Sequence, residues 1–469
     1  METPELAALP EHGSRGYVYV VCTVAAVGGL LFGFDTAVIS GAIVFVERQF
    51  GLTSFEKGFV VASVLIGCAV GVAAVGSLCD RFGRKKILIA AAGFFVVSAL
   101  GCAVARNFME LTVARFIGGL AVGVASMVSP MYIAEIAPAR IRGRLVVLNQ
   151  MTIVCGILCA NMTNWALEGT GVHNWRYMFL AEAPGAALFF FALFIVPESP
   201  RWLAKQGRLK EALGILARVG GWRHAQLELG EIREAIAHEA GSVLQLLRPG
   251  LRLALVIGVV MAILQQITGI NTVIYYAPDI FLGAGVGSDS AALLATVGVG
   301  IVNVISTIVA LAAVDKVGRR LLMLIGTSGM AVSLFFAGLS FHGGRSPGVF
   351  VLIPILCYIT SFGIGLGPVV WVVIAEIFPT RIRGRAMAIA TVSLWIACFA
   401  VAQSFPPLIK AVGFTWPFWG YAVMCVLTVL FVAAIVPETK GKTLEEIEKF
   451  WEPAGGAFPV VPVTEEEQA

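Results

Sequence analysis

Apolar runs of spanning length recur about twelve times along this chain. They lie near 17–45, 58–79, 87–105, 108–134, 145–167, 177–196, 251–282, 289–314, 320–341, 349–375, 385–409 and 416–436. A helix needs about 20 residues to cross a bilayer, so each run predicts a spanning helix. Six precede a polar segment at 199–248 and six follow it. Within that segment Leu209, Ala212, Leu213 and Leu216 share one face of a helix over Arg208–Arg218, and Leu227, Ile232 and Ile236 recur beyond it. The spacing predicts two or three short amphipathic helices capping the membrane surface. Thr443–Trp451 opens like a capped helix, with Glu446 three residues after Thr443, and disorder is expected beyond Pro453.

Composition agrees. The 469 residues are 58% hydrophobic and 13% charged, with a mean hydropathy of +0.89, against about 25% charged in soluble domains. The expected class is an all-α, multi-pass membrane protein. The net charge of +4 says less than its distribution. Twenty-six Lys and Arg fall on one set of connections, among them Arg81, Arg84, Arg140, Arg142, Arg144 and the polar segment. Six fall on the other: Arg48, Lys57, Arg106, Arg176, Arg345 and Lys410. The rich side is expected to be cytoplasmic, and an even number of spans then puts both termini there. Met1–Gly16 shows no cleavage-site pattern, and the first run is too long for a signal peptide, so it is expected to be retained. The nine Cys are scattered without a C-x-x-C pair, and Cys155 and Cys159, on one helix face, are expected to be small buried residues. Neither they nor the five His suggest a metal site, and none is expected.

The chain also repeats itself. Asp80-Arg-Phe-Gly-Arg84 returns as Asp315-Lys-Val-Gly-Arg319, Glu135…Arg142-Gly-Arg144 as Glu376…Arg383-Gly-Arg385, and Pro197-Glu198-Ser as Pro437-Glu438-Thr. The offsets are 235, 241 and 240 residues. Two structural copies are implied: a bundle over 1–196, a linker over 197–250, a second bundle over 251–436, and a tail over 437–469. Two six-helix bundles with a site between them form a transporter architecture.

The seventh run carries that site. Its middle holds Gln265, Gln266, Thr268, Asn271 and Thr272, followed by Tyr275 and Tyr276. Amides at mid-membrane depth need partners or a wet cavity, and Gly269 and Pro278 make the helix easy to break. Uncharged donors and acceptors beside aromatic rings suit a neutral, hydroxyl-rich ligand. Helix-to-helix hydrogen bonding is the competing use of such residues. In the first half, Asp35 is a carboxylate inside a span, costing about 2.5–3.5 kcal/mol on insertion scales. Arg115 is a basic residue deep in a span at comparable depth. A pair that opens and closes would load and release a proton, and a static structural ion pair is the alternative.

These motifs resemble the sugar porter family of the major facilitator superfamily over nearly the whole chain. The signatures are Gly33-Phe-Asp35, Asp80-Arg-Phe-Gly-Arg-Lys85, Arg115-Phe-Ile-Gly-Gly, Glu135…Arg142-Gly-Arg144, Pro197-Glu-Ser-Pro-Arg-Trp-Leu203, Gln265-Gln266…Asn271…Tyr-Tyr276 and Pro437-Glu-Thr-Lys-Gly441. Bacterial members taking up hexoses or pentoses with protons are the most similar. The resemblance implies the major facilitator fold, in the cell (inner) membrane. It implies sugar contacts at Phe32, Gln150, Gln265, Gln266, Asn271, Tyr275, Asn303, Gly367, Trp371 and Trp395. It gives Asp35 the proton, where uniporting relatives carry Asn. Leu394, Cys398 and Ile157 stand where relatives often carry polar side chains, leaving one end of the pocket less polar.

The charged motifs at the basic helix ends have a further expected use. Asp80, Glu135, Glu198, Asp315, Glu376 and Glu438, beside Arg84, Arg144, Arg201, Arg319 and Arg385, would form ion pairs latching the two halves when the cytoplasmic side is shut. The expected function is import of a monosaccharide (hexose, pentose or inositol-like) with a proton, by a chain acting as a monomer, without cofactor or nucleic-acid partner. An uncoupled facilitator, a non-transporting sugar sensor and a membrane enzyme are the alternatives. Asp35 argues against the first. The expected tail of about 30 residues argues against the second. Against the third stands the lack of a nucleophile-base pair, metal cluster or nucleotide loop: Gly363-Ile-Gly365-Leu-Gly367 lies in a span with no βαβ unit around it.

Overall fold

The computed structural model describes residues 13–237, 251–342, 348–378 and 382–440, apart from the side chains of Ala139 and Asp315. The expected helix at Thr443–Trp451 and the region beyond Pro453 lie outside the described residues. The first half is built from α1 (Arg15–Phe50), α2 (Ser54–Phe82), α3 (Arg84–Val104), α4 (Phe108–Ile136), α5 (Ala139–Leu167), α6 (Asn174–Leu180) and α7 (Ala183–Ile195). The polar segment holds α8 (Pro200–Lys205), α9 (Leu209–Gly220) and α10 (Trp222–Ala237). The second half holds α11 (Leu251–Ile267), α12 (Ile270–Tyr275), α13 (Ala277–Gly283), α14 (Asp289–Val317), α15 (Arg319–Phe341), α16 (Val349–Ile364), α17 (Leu366–Ile377), α18 (Arg383–Val412) and α19 (Thr415–Ile435). Among the described residues twelve helical spans are long and apolar enough to cross a membrane, matching the twelve runs.

The spans begin where local chemistry starts helices. Thr53 and Glu56 form a capping box at the start of α2, with Thr53 N donating to Glu56 Oε2 over 2.8 Å. Asn107 caps α4 and Ser288 caps α14. Close packing between spans rests on small residues. A Cβ on Gly33 would strike the Ile153 carbonyl, and one on Gly156 the Leu30 carbonyl, so α1 and α5 approach reciprocally. The two halves meet along α2 with α18 and α5 with α14. Large apolar side chains such as Phe191, Ile195, Phe336 and Leu430 stay exposed on the outside, as hydrocarbon allows.

The linker forms three helices. Ala212 and Leu216 are buried as expected, but Leu227 is 70% exposed. The second apolar face runs instead through Ala225, Leu229 and Ile232, because α10 starts at Trp222 and turns Leu227 outward. Cys155 is half-buried and Cys159 exposed, correcting the expectation of two buried thiols. A spanning helix has an outer face, and there a small apolar residue is as stable in lipid as in a core.

Candidate functional site

Three spans break where the site forms. The seventh is interrupted at Gly269, whose φ of +91° and neighbouring Tyr421 ring leave no room for a Cβ, and again at Tyr276, just before Pro278. The tenth breaks at Gly365, between α16 and α17, inside the Gly363-Ile-Gly365-Leu-Gly367 run. The sixth breaks between α6 and α7.

The seventh-span amides form one directed chain. Gln265 Nε2 donates to the Leu366 and Gly367 carbonyls, over 2.8 and 3.1 Å, in the first turn of α17 just past the tenth-span break. Gln266 Nε2 donates to Gln265 Oε1 over 3.1 Å, and Asn271 Nδ2 to Gln266 Oε1 over 2.6 Å and Cys398 Sγ over 3.2 Å. What remains for a ligand is Asn271 Oδ1, the second N–H of Gln266, and the buried Trp395 Nε1, which has no protein partner. An acceptor and donors side by side suit hydroxyl groups, which do both. Phe32 packs edge-on against Trp395 with ring centroids 5.8 Å apart, joining the two halves. Tyr275 is buried on α12, Asn303 is buried on α14, and Gln150 and Trp371 are half-buried on α5 and α17. No hydrogen bond among the described residues ties the Gln150, Asn303 or Trp371 side chain into the amide chain.

Asp35 and Arg115 are brought together. Arg115 Nη1 donates to Asp35 Oδ1 and, over 2.9 Å, to the Asp35 carbonyl. Both side chains are essentially fully buried. Asp35 Oδ2 and Arg115 Nε and Nη2 find no protein hydrogen-bond partner, so the pair is only half satisfied. Gly118 makes the space: a Cβ there would strike Asp35 Oδ2 and come within 2.5 Å of Ser98 Oγ. Arg115 also lies 5.7 Å above the Phe179 ring. Glu182 was missed in the sequence. It is 3% exposed at the α6–α7 break, its Oε1 has no partner, and its charge interacts with those of Asp35 and Arg115. Its apolar surroundings were the available signal, the same one that marked Asp35.

The repeated motifs build the same network twice at the basic ends. Arg84 Nη2 reaches Glu135 Oε1 over 2.9 Å, and Arg319 Nη2 reaches Glu376 Oε1 over 3.0 Å. Glu198 accepts from the backbone N–H of Arg84, and Glu438 from that of Arg319, capping α3 and α15. Ser199 Oγ donates to Glu135, and Thr439 Oγ1 to Glu376 over 2.5 Å. Gly83 and Gly318, with φ of +89° and +103°, let the chain turn under these carboxylates. Asp80 accepts from Lys205 Nζ over 3.3 Å. Arg144 and Arg385 are exposed, and Arg201 is half-buried on α8. Each of these pairs joins residues of one half or its linker. They brace a half against itself here rather than tying the halves together. Charge pairs between the halves stand at the opposite ends: Arg48 with Asp289 and Lys57 with Asp279.

A family model described as sugar (and other) transporter matches residues 21–451. The chain belongs to this sugar transporter family. It is 44% identical over 445 residues to the arabinose-proton symporter of Bacillus subtilis (strain 168), covering 93% of this chain and 96% of that protein. It is 42% identical over 480 residues to the D-xylose-proton symporter of Escherichia coli (strain K12), covering 94% and 97%. The partially occluded inward open conformation of the xylose transporter XylE from E. coli matches with a TM-score of 0.83 at 39% identity, over 92% of this chain and 100% of that one. The inward open conformation of the same protein matches at 0.82. The transporter is thus an all-helical, multi-pass member of the major facilitator superfamily.

Proposed function

We propose that this transporter imports a monosaccharide together with a proton by alternating access. The single observation carrying the sugar reading is the amide chain from the tenth-span break to Asn271, which leaves a donor on Gln266 and an acceptor on Asn271 unused. Its resemblance to named pentose-proton symporters supports the same reading. Gln150, Gln265, Gln266, Asn271, Tyr275, Asn303 and Gly367 supply polar contacts and backbone, while Phe32, Trp371 and Trp395 supply apolar faces. Cys398, where relatives often have a polar side chain, anchors Asn271 instead.

Asp35 carries the proton in this proposal. Ionised, it holds Arg115; protonated, it releases it. Because Asp35 Oδ2 and two Arg115 nitrogens are unsatisfied, the pair has room to take a proton without first losing a full set of bonds. The halves, about 1–196 and 251–436, rock about the site. The basic ends face the cytoplasm of the cell (inner) membrane, with both termini there. The networks at Glu135 and Glu376 keep each half rigid as it moves, and the exposed Arg144 and Arg385 meet the other half when that side shuts. The transporter works as a monomer.

The test is uptake of labelled monosaccharides and inositol in cells lacking their own carriers, with and without a protonophore. Accumulation of one or more sugars that collapses with the protonophore is expected. Equilibration indifferent to the protonophore would make the protein a facilitator and Asp35 a structural charge.

A further inference from the structure

Five charged residues at the helix ends opposite the basic loops have no role so far. Glu47 and Arg48 close α1, Lys57 lies in the first turn of α2, Asp279 lies on α13, and Asp289 opens α14. Lys57 Nζ bridges Glu47 Oε2 over 2.6 Å and Asp279 Oδ1 over 2.8 Å. Arg48 grips Asp289 with two bonds of 2.5 and 2.9 Å. Beside them Gln403 Nε2 donates to the Phe55 carbonyl over 3.1 Å. In every case but Lys57–Glu47 the partners come from opposite halves. Below lies an apolar floor where Val44 and Phe45 meet Pro278, Leu282 and Leu293.

We propose that Glu47, Arg48, Lys57, Asp279 and Asp289 form an ionic latch that holds the halves together at this end, and that its opening admits substrate from this side. The proposal rests on the alternating-access reading. The arrangement suits a joint that must break on every cycle. Lys57 is buried, with only 9% of its side chain exposed, and a buried cation needs a partner at all times. Glu47, from its own half, is that standing partner, so parting the halves costs Lys57 only Asp279. Arg48 is 58% exposed and returns to water when released. Asp289 sits in the first turn of α14, where the helix dipole favours its charge with or without Arg48. Lys57, Arg48 and Asp289 thus each keep a favourable place when the halves part.

The test uses Leu293→Cys as a reporter on the buried floor, labelled by a membrane-impermeant maleimide from the latch side, over the background of the native thiols. Arg48→Gln is expected to speed labelling about two- to fivefold, the worth of an exposed pair. Lys57→Met, which strands two carboxylates, is expected to speed it about tenfold or more. Combining Arg48→Asp with Asp289→Arg should return the rate to the parent's. Raised salt should speed the parent more than the Arg48→Gln variant. Unchanged labelling in Arg48→Gln, or a reversed pair no slower than the single change, would overturn the latch. Arg48 and Asp289 lie at the surface, so that arm holds even where Lys57→Met fails to fold. Labelling does not depend on a transported sugar. A chain that accumulates none would therefore sink the transport reading while leaving the latch measurable.

Discussion

Asp35 and Arg115 are a pair whose atoms outnumber their bonds. A carboxylate with one oxygen free of protein partners, beside a guanidinium with two such nitrogens, is fully buried. A static structural pair would be expected to satisfy itself. A pair that alternates must leave some capacity unused. Asp35→Asn is therefore expected to abolish uphill accumulation while exchange of sugar at equal concentrations survives. Uphill uptake persisting in that variant would remove the proton from Asp35. The sequence showed both residues through their apolar context, and showed the amides of the seventh span the same way. Glu182 carries the same signal, a carboxylate inside an apolar run, but only the fold shows it near the Asp35–Arg115 pair. Nor did the sequence show which partner each amide takes, since Gln265 reaches across 101 positions to Leu366.

At the scale of elements, α10 shows how a surface helix is tied to the bundle. Arg142 Nη2 meets Glu228 Oε1 over 3.2 Å, and His224 Nε2 stands 2.6 Å from Glu228 Oε2. Burial pushes the Glu228 carboxyl above the ordinary carboxylate value, and His224 and Arg142 only partly pull it back. A raised carboxyl binds its proton more tightly when docked. Its contribution to docking is thus complete below the ordinary value and lost as pH rises through the docked one. Amide exchange in α10, corrected for intrinsic rates, is expected to quicken from acidic to neutral pH. Glu228→Gln should flatten that dependence, and equal pH dependence in both proteins would refute the account. The apolar periodicity of α9 was legible from sequence. Leu227 was assigned to the wrong face because the phase of a short helix depends on where it starts.

Across the whole molecule, the two halves are copies with different duties. The first carries the buried ion pair and the second the amide chain. The networks around Glu135 and Glu376 repeat almost bond for bond, as the repeated motifs require. Expected at first as a tie between the halves, they lie within each half in this structure, while the charges joining the halves sit at the other end. Arg144→Ala and Arg385→Ala are expected to raise accessibility of the site from the basic end, read by labelling of a thiol placed there. Unchanged accessibility would confine the basic-end charges to bracing and topology.

The sequence alone determined the class, the twelve spans, the internal duplication and the polar residues placed where lipid forbids them. These follow from local rules: length, hydropathy and the cost of burying charge act residue by residue. Tertiary structure decided which charges meet. The spacing of Lys57 and Asp279, or of Arg48 and Asp289, carries no signal, because their bonds form only once two bundles close on each other. The same closure turned residues that read as ordinary loop charges into contacts between the halves.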